Sequence, residues 1–131
     1  MTTPATLGLT LDTGALLALD HPSKAVVMQA RLAEARRRGA AICVPVGVVA
    51  QAWRGPRQVR LARLIKSSDV DIAIMTLSVA RAVGSICAAT GHNDVVAVHV
   101  ALCARDRRHA GVTSDPDDIA RVNPMLQLIR V

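Results

Sequence analysis

Aromatic side chains are almost missing from this sequence. Trp53 is the one ring in 131 residues, with no Phe and no Tyr, although 51% of the chain is apolar. The core must therefore be built from Ala, Val, Leu and Ile, and RNA-binding modules that stack bases on exposed rings are disfavoured. Cysteine is scarce too. Cys43, Cys87 and Cys103 are odd in number, far apart, set in apolar segments and without a C-x-x-C pair. That argues against a disulfide framework or a zinc site and for buried thiols acting as small hydrophobes. No apolar run reaches the roughly 18 to 20 residues that cross a bilayer, and the first ten residues lack a leader's basic start and apolar stretch, so a cytoplasmic protein with no membrane partner is expected. His21, His92, His99 and His109 form no H-x-x-x-H or H-E-x-x-H pattern, and no G-x-S-x-G, Walker or G-x-G-x-x-G motif is present.

Cationic residues, by contrast, are plentiful and unevenly placed. The net charge is +6. Residues 1–66 hold ten Lys and Arg against Asp12, Asp20 and Glu34, whereas residues 67–131 hold six against seven acids. The first half thus suits an anionic partner, either nucleic acid or an acidic protein segment.

The length fits one domain, residues 1–131. "LGLTLD" (7–12) reads as a strand ending in a carboxylate, and "TGALLALD" as a helix. Residues 22–38 read as a helix with a basic end, stopped by Gly39. "AAICVP" is a buried strand; "VGVVAQAWR" turns into a helix that Gly55 and Pro56 end. Residues 57–67 are predicted as an amphipathic helix, with Leu61, Leu64 and Ile65 on one side and Arg60, Arg63 and Lys66 fanned over the other. "VDIAIMT" gives a strand, "LSVARAVGSICAATG" a helix, "NDVVAVHVALCARDRR" another helix from near Asn93, "AGVTS" a strand, "DPDDIARV" a short helix and "LQLIRV" an edge strand. This alternation predicts an α/β fold: a central, mainly parallel sheet flanked by helices on both faces.

In such a sheet, functional groups gather at the carboxyl ends of the strands. Asp12 and Asp115 each end a predicted strand, so both belong on that rim, and Asp94 joins them if its helix points its N-terminus there. Acids brought together from those positions repel one another unless a cation intervenes. Mg²⁺ or Mn²⁺ suits carboxylate oxygens and can prepare a water for in-line attack on a phosphodiester. Each acid also has a structural role open to it: Asp115 before Pro116, Asp117 and Asp118 makes a good helix start, Asp94 can be a first-turn acid set against the helix dipole, and Asp12 or Thr13 can act as a cap.

"LTLDTGALLAL", "HNDVVAVHVALCARD" and "GVTSDPDDI", in that order and spread over nearly the whole chain, resemble the PIN-domain ribonucleases, and among them the small VapC-type toxins of type II toxin–antitoxin pairs. The resemblance implies a PIN-like fold, Mg²⁺- or Mn²⁺-dependent endoribonuclease activity, homodimerisation and inhibition by a cognate VapB-type antitoxin. It makes Asp12, Asp94 and Asp115 the metal-binding carboxylates and Asp117 an accessory catalytic acid. Asp118 has no counterpart and is expected to support the helix start. Thr13 and Ser114 are accessory polar residues beside the acids. Gln51 stands where many members carry a glutamate, which removes one negative charge and a potential base.

RNA is then expected to lie over Arg54, Arg57, Arg60, Arg63 or Lys66. The alternative is a catalytically impaired module of the same fold, which binds an antitoxin or RNA without cutting. Enzymes using an aspartyl nucleophile fit less well, because they often need an acid two residues after the first and Gly14 occupies that place. A phospho-receiver domain fits no better, since no lysine follows "AGVTS".

Overall fold

A computed structural model describes residues 7–131. The first six residues, and with them most of the stretch read for a leader, lie outside the described residues. The elements run β1 (Leu9–Leu11), α1 (Thr13–Ala18), α2 (Ala25–Arg37), β2 (Ile42–Pro45), α3 (Val46–Ala52), α4 (Val59–Lys66), β3 (Val70–Ala73), α5 (Leu77–Thr90), α6 (Val95–Arg107), β4 (Ala110–Thr113), α7 (Pro116–Val122) and β5 (Leu128–Arg130).

All five strands are parallel, in the order β3-β2-β1-β4-β5. The short apolar runs of β1, β2 and β4 are buried at every position, as strands covered on both faces must be, while β5 is the half-exposed edge. Helix α1 packs on α2 and α3, whereas α5, α6 and α7 pack on one another. Right-handed crossovers put these two groups on opposite faces of the sheet.

Helix α6 explains how a core without large rings closes. Every residue from Ala97 to Ala104 is buried, so its Ala, Val, Leu and Cys side chains fill the space over β1, β2 and β4 from all sides. Helix α4 is different: Leu61 and Leu64 are buried and Ile65 only partly, with Arg60, Arg63 and Lys66 outside. Its first turn has no cap from its own N-cap residue; Asp20 accepts the backbone amides of Arg60 and Leu61, each at 3.1 Å. The helix starts at Val59, two residues later than expected, because Gln58 is used to close the preceding loop, accepting the amides of Arg54 and Gly55 and donating to the Ala52 carbonyl. Among the described residues no single helix is long and apolar enough to cross a membrane.

The chain leaves β1 outward through β2 and β3 and then returns to the other side of β1 as β4. The carboxyl ends of β1 and β4 therefore flank the point where the strand order reverses, the usual place for a crevice in an open α/β sheet.

Candidate functional site

Asp12 sits at that reversal point, directly after β1. Its amide donates to the Val112 carbonyl of β4 at 2.9 Å, and its carboxylate is held from two sides, by the Thr13 amide at Oδ1 and the Thr113 hydroxyl at Oδ2, both at 2.8 Å. Thr113, fully buried at the end of β4, also accepts the amide of Asp115 at 3.0 Å. One hydroxyl thus joins the two strand-end acids.

Asp94 and Asp115 are helix caps as well as rim residues. Asp94 Oδ1 accepts the amides of Val96 and Ala97 at 3.1 Å, opening α6, and Asp115 Oδ1 accepts the Asp118 amide at 3.2 Å, opening α7. Capping and rim position coexist, because each carboxylate caps through one oxygen. The Oδ2 atoms of Asp94 and Asp115 have no hydrogen-bond partner among the described residues. Asp117 is exposed in the first turn of α7, where it suits the helix dipole.

Asp118 departs from expectation. Its amide supports the helix start, but its carboxylate does more: Oδ1 faces Nε2 of His92 at 2.8 Å. His92 is 5% exposed and its Nδ1 accepts the Asp94 amide at 3.1 Å, so the ring proton lies on Nε2 and is donated to Asp118. His92 therefore ties the start of α6 to α7. Metal-ligand spacings do not reach this histidine; its signal in the sequence is its position two residues before a helix-capping Asp.

The electrostatics follow. Burial, opposed by the hydrogen bonds of Thr13 and Thr113 and reinforced by the negative charges of Asp94 and Asp118, pushes the Asp12 carboxyl above its ordinary range. The acids acting on Asp12 are thus Asp94 and Asp118. Arg121, 3.8 Å from Asp118 and 70% exposed, is the one cation paired with these acids among the described residues.

Gln51 reaches the same place, since its Oε1 accepts the hydroxyl of Thr13. Ser114 makes no hydrogen bond to the acids among the described residues; the contact it does make is steric, since a Cβ built on Gly14 would meet Ser114 Oγ at 2.1 Å and Cβ at 2.5 Å. That contact also bars an acid from position 14.

An oxygen-only donor set with free Oδ2 atoms is the chemistry a hard divalent ion takes, with water in its remaining positions. The acids are not drawn together into a ligand cluster: among the described residues no group of three or more His, Cys, Asp or Glu side chains is placed to hold a metal ion.

Arg60 and Arg63 line a cleft of about 300 Å³ together with Arg36, Leu19, Leu32 and Leu64, and no rim acid is part of that lining. Arg54 is turned back onto the carbonyls of Ala50 and Trp53 at the end of α3, while Arg57 and Lys66 are exposed.

No protein-family model matches the chain, and no curated protein matches it significantly.

Proposed function

We propose that the chain is a divalent-metal-dependent endoribonuclease of PIN-like fold that acts in the cytoplasm as the toxin of a type II toxin–antitoxin pair. The observation that carries this reading is the gathering of acids at the carboxyl ends of β1 and β4, where Asp94 and Asp118 act on Asp12 and the exposed Arg121 beside Asp118 is the one paired cation among the described residues. Asp12, Asp94 and Asp115 would hold Mg²⁺ or Mn²⁺, which supplies a water of lowered pKa and charge for the leaving oxygen of a phosphodiester. The chain's own residues keep the acids in place: Thr13 and Thr113 fix both oxygens of Asp12, and His92 fixes the Asp94 backbone and the Asp118 carboxylate. Asp117 is the accessory acid. Arg57, Arg60, Arg63 and Lys66 would hold RNA phosphates. A VapB-type antitoxin would inhibit by laying an apolar segment on the toxin and setting an Arg on the acids. A homodimer belongs to the same proposal.

Gln51 favours one other reading, a non-catalytic module of the same fold that binds an antitoxin or RNA, because a neutral amide is joined to Thr13 where a carboxylate would add charge. Purified antitoxin-free protein, given a mixed RNA pool with and without Mg²⁺ or Mn²⁺ beside an Asp94→Asn variant, separates the two. Metal-dependent cutting that the variant lacks supports the nuclease; folded protein that cuts no better than the variant leaves the binding module.

A further inference from the structure

Outside the acidic rim, on the α6 side of the sheet, the fold brings together two thiols that lie sixty residues apart in sequence. Cys43 of β2 and Cys103 of α6 are 0% and 3% exposed and pack against each other and against Ala73 of β3. The two sulfurs differ in acidity. The neighbouring Cys43 thiol, opposed by burial and aided by His99 and Arg107, makes Cys103 the more acidic sulfur, while its neighbour Cys103 and burial push the Cys43 thiol up.

His99 lies one turn before Cys103 on α6. It is 1% exposed, and its Nδ1 finds no hydrogen-bond partner among the described residues. A cavity of about 50 Å³, lined by Cys103, His99, Val79, Ile74 and Arg107 among others, runs from this cluster to the exposed side chains of Ile74 and Arg107. A single water needs about 10–15 Å³ of such space, so a molecule as small as hydrogen peroxide fits. Cys87, partly exposed on α5, belongs to neither the cluster nor the cavity lining.

We propose that Cys43 and Cys103 are a redox pair that closes to an intramolecular disulfide on exposure to hydrogen peroxide, with Cys103 as the attacking sulfur. The Cys103 thiolate attacks one peroxide oxygen; an S–O bond forms, the O–O bond breaks, and the departing hydroxide takes a proton to leave as water. Cys43 then attacks the sulfur of the Cys103 sulfenic acid, forming S–S and breaking S–O, and the thiol proton of Cys43 leaves with the hydroxide as a second water. Two thiols give up two electrons and one peroxide is reduced to two waters. The bridge fastens β2 to α6, the helix that Asp94 caps.

The test uses the whole reduced chain, treated with hydrogen peroxide, alkylated and mapped by mass spectrometry. The expected product has lost the mass of two hydrogens, takes one alkyl group at Cys87, yields a linked Cys43–Cys103 peptide and returns to three alkylatable thiols with a dithiol reductant. A Cys43→Ala variant should stop one oxygen heavier, with a sulfenic acid at Cys103 that a 1,3-diketone probe traps. Three free thiols after peroxide, or oxidation confined to Cys87, overturn the proposal. A sulfenic acid trapped on Cys43 in Cys103→Ala overturns the assignment of the attacking sulfur.

Discussion

The hydroxyl of Thr113 donates to Oδ2 of Asp12 across 101 positions of sequence. Because the same oxygen accepts the Asp115 amide, the buried Thr113 side chain sets the relation between the two strand-end acids. Thr113→Val keeps the shape and removes both bonds. It should destabilise the fold by about 1–3 kcal/mol, the usual cost of leaving buried polar groups unpaired. Thr113→Ser should recover most of that loss in a denaturant titration; equal loss in both variants would mean that the methyl, not the hydroxyl, matters.

Asp12 gives the protein a pH-dependent stability of definite sign. Its carboxyl keeps a proton to higher pH folded than unfolded, where its ordinary value is 3.8, so in that window the folded chain binds more protons. Stability therefore falls as pH rises from about 3.8 through the raised value, and this contribution remains lost at neutral pH. Mg²⁺ bound at the rim should offset the loss, by about 2.7 kcal/mol at a hundredfold excess over its dissociation constant. Asp12→Asn should flatten this part of the pH profile and abolish the Mg²⁺ gain, as read from thermal unfolding in EDTA and in Mg²⁺. An identical Mg²⁺ response in wild type and variant would remove Asp12 from the ion site.

Gln51→Glu restores a charge beside Thr13. Without a divalent ion it should lower the melting temperature, by adding to the repulsion already acting on Asp12; with Mg²⁺ it should tighten binding on the order of tenfold, about 1.4 kcal/mol. Calorimetric titration of Mg²⁺ into both proteins measures it. Unchanged affinity would place position 51 outside the ion's reach.

Gly14 and Ser114 form a backbone-to-side-chain contact with no room for a methyl group. Gly14→Ala should cost about 1–3 kcal/mol through overpacking. Adding Ser114→Gly should return part of it, since the two positions touch and their effects cannot be additive. A strictly additive double mutant would contradict the contact.

The architecture was legible because its signals are local. "LGLTLD" and "AAICVP" are apolar runs bounded by breakers, and both became strands at the sheet centre. The Asp-Pro-Asp-Asp start of α7 and the Gly91 stop of α5, in the left-handed region at φ 71°, lie where cap chemistry puts them. Asp12, Asp94 and Asp115 were readable as strand-end or helix-start acids for the same reason. What escaped are pairings across the fold: Thr113 with Asp12, His92 with Asp118, and Cys43 with Cys103. No spacing rule encodes a contact between residues that the topology alone makes neighbours.

The central place of β1 in a parallel sheet also sets a timetable. Leu9, Thr10 and Leu11 must wait for Ala110, Gly111 and Val112 before one side of β1 is paired. On the ribosome, Asp12 emerges early yet has neither Thr113 to orient it nor Asp118 to act on it until some hundred further residues have been made, and such distant parallel pairing is slow. If the rim cuts RNA, a nascent chain is harmless to the message being translated for most of its synthesis, and the hazard begins only with the release of β4 and α7.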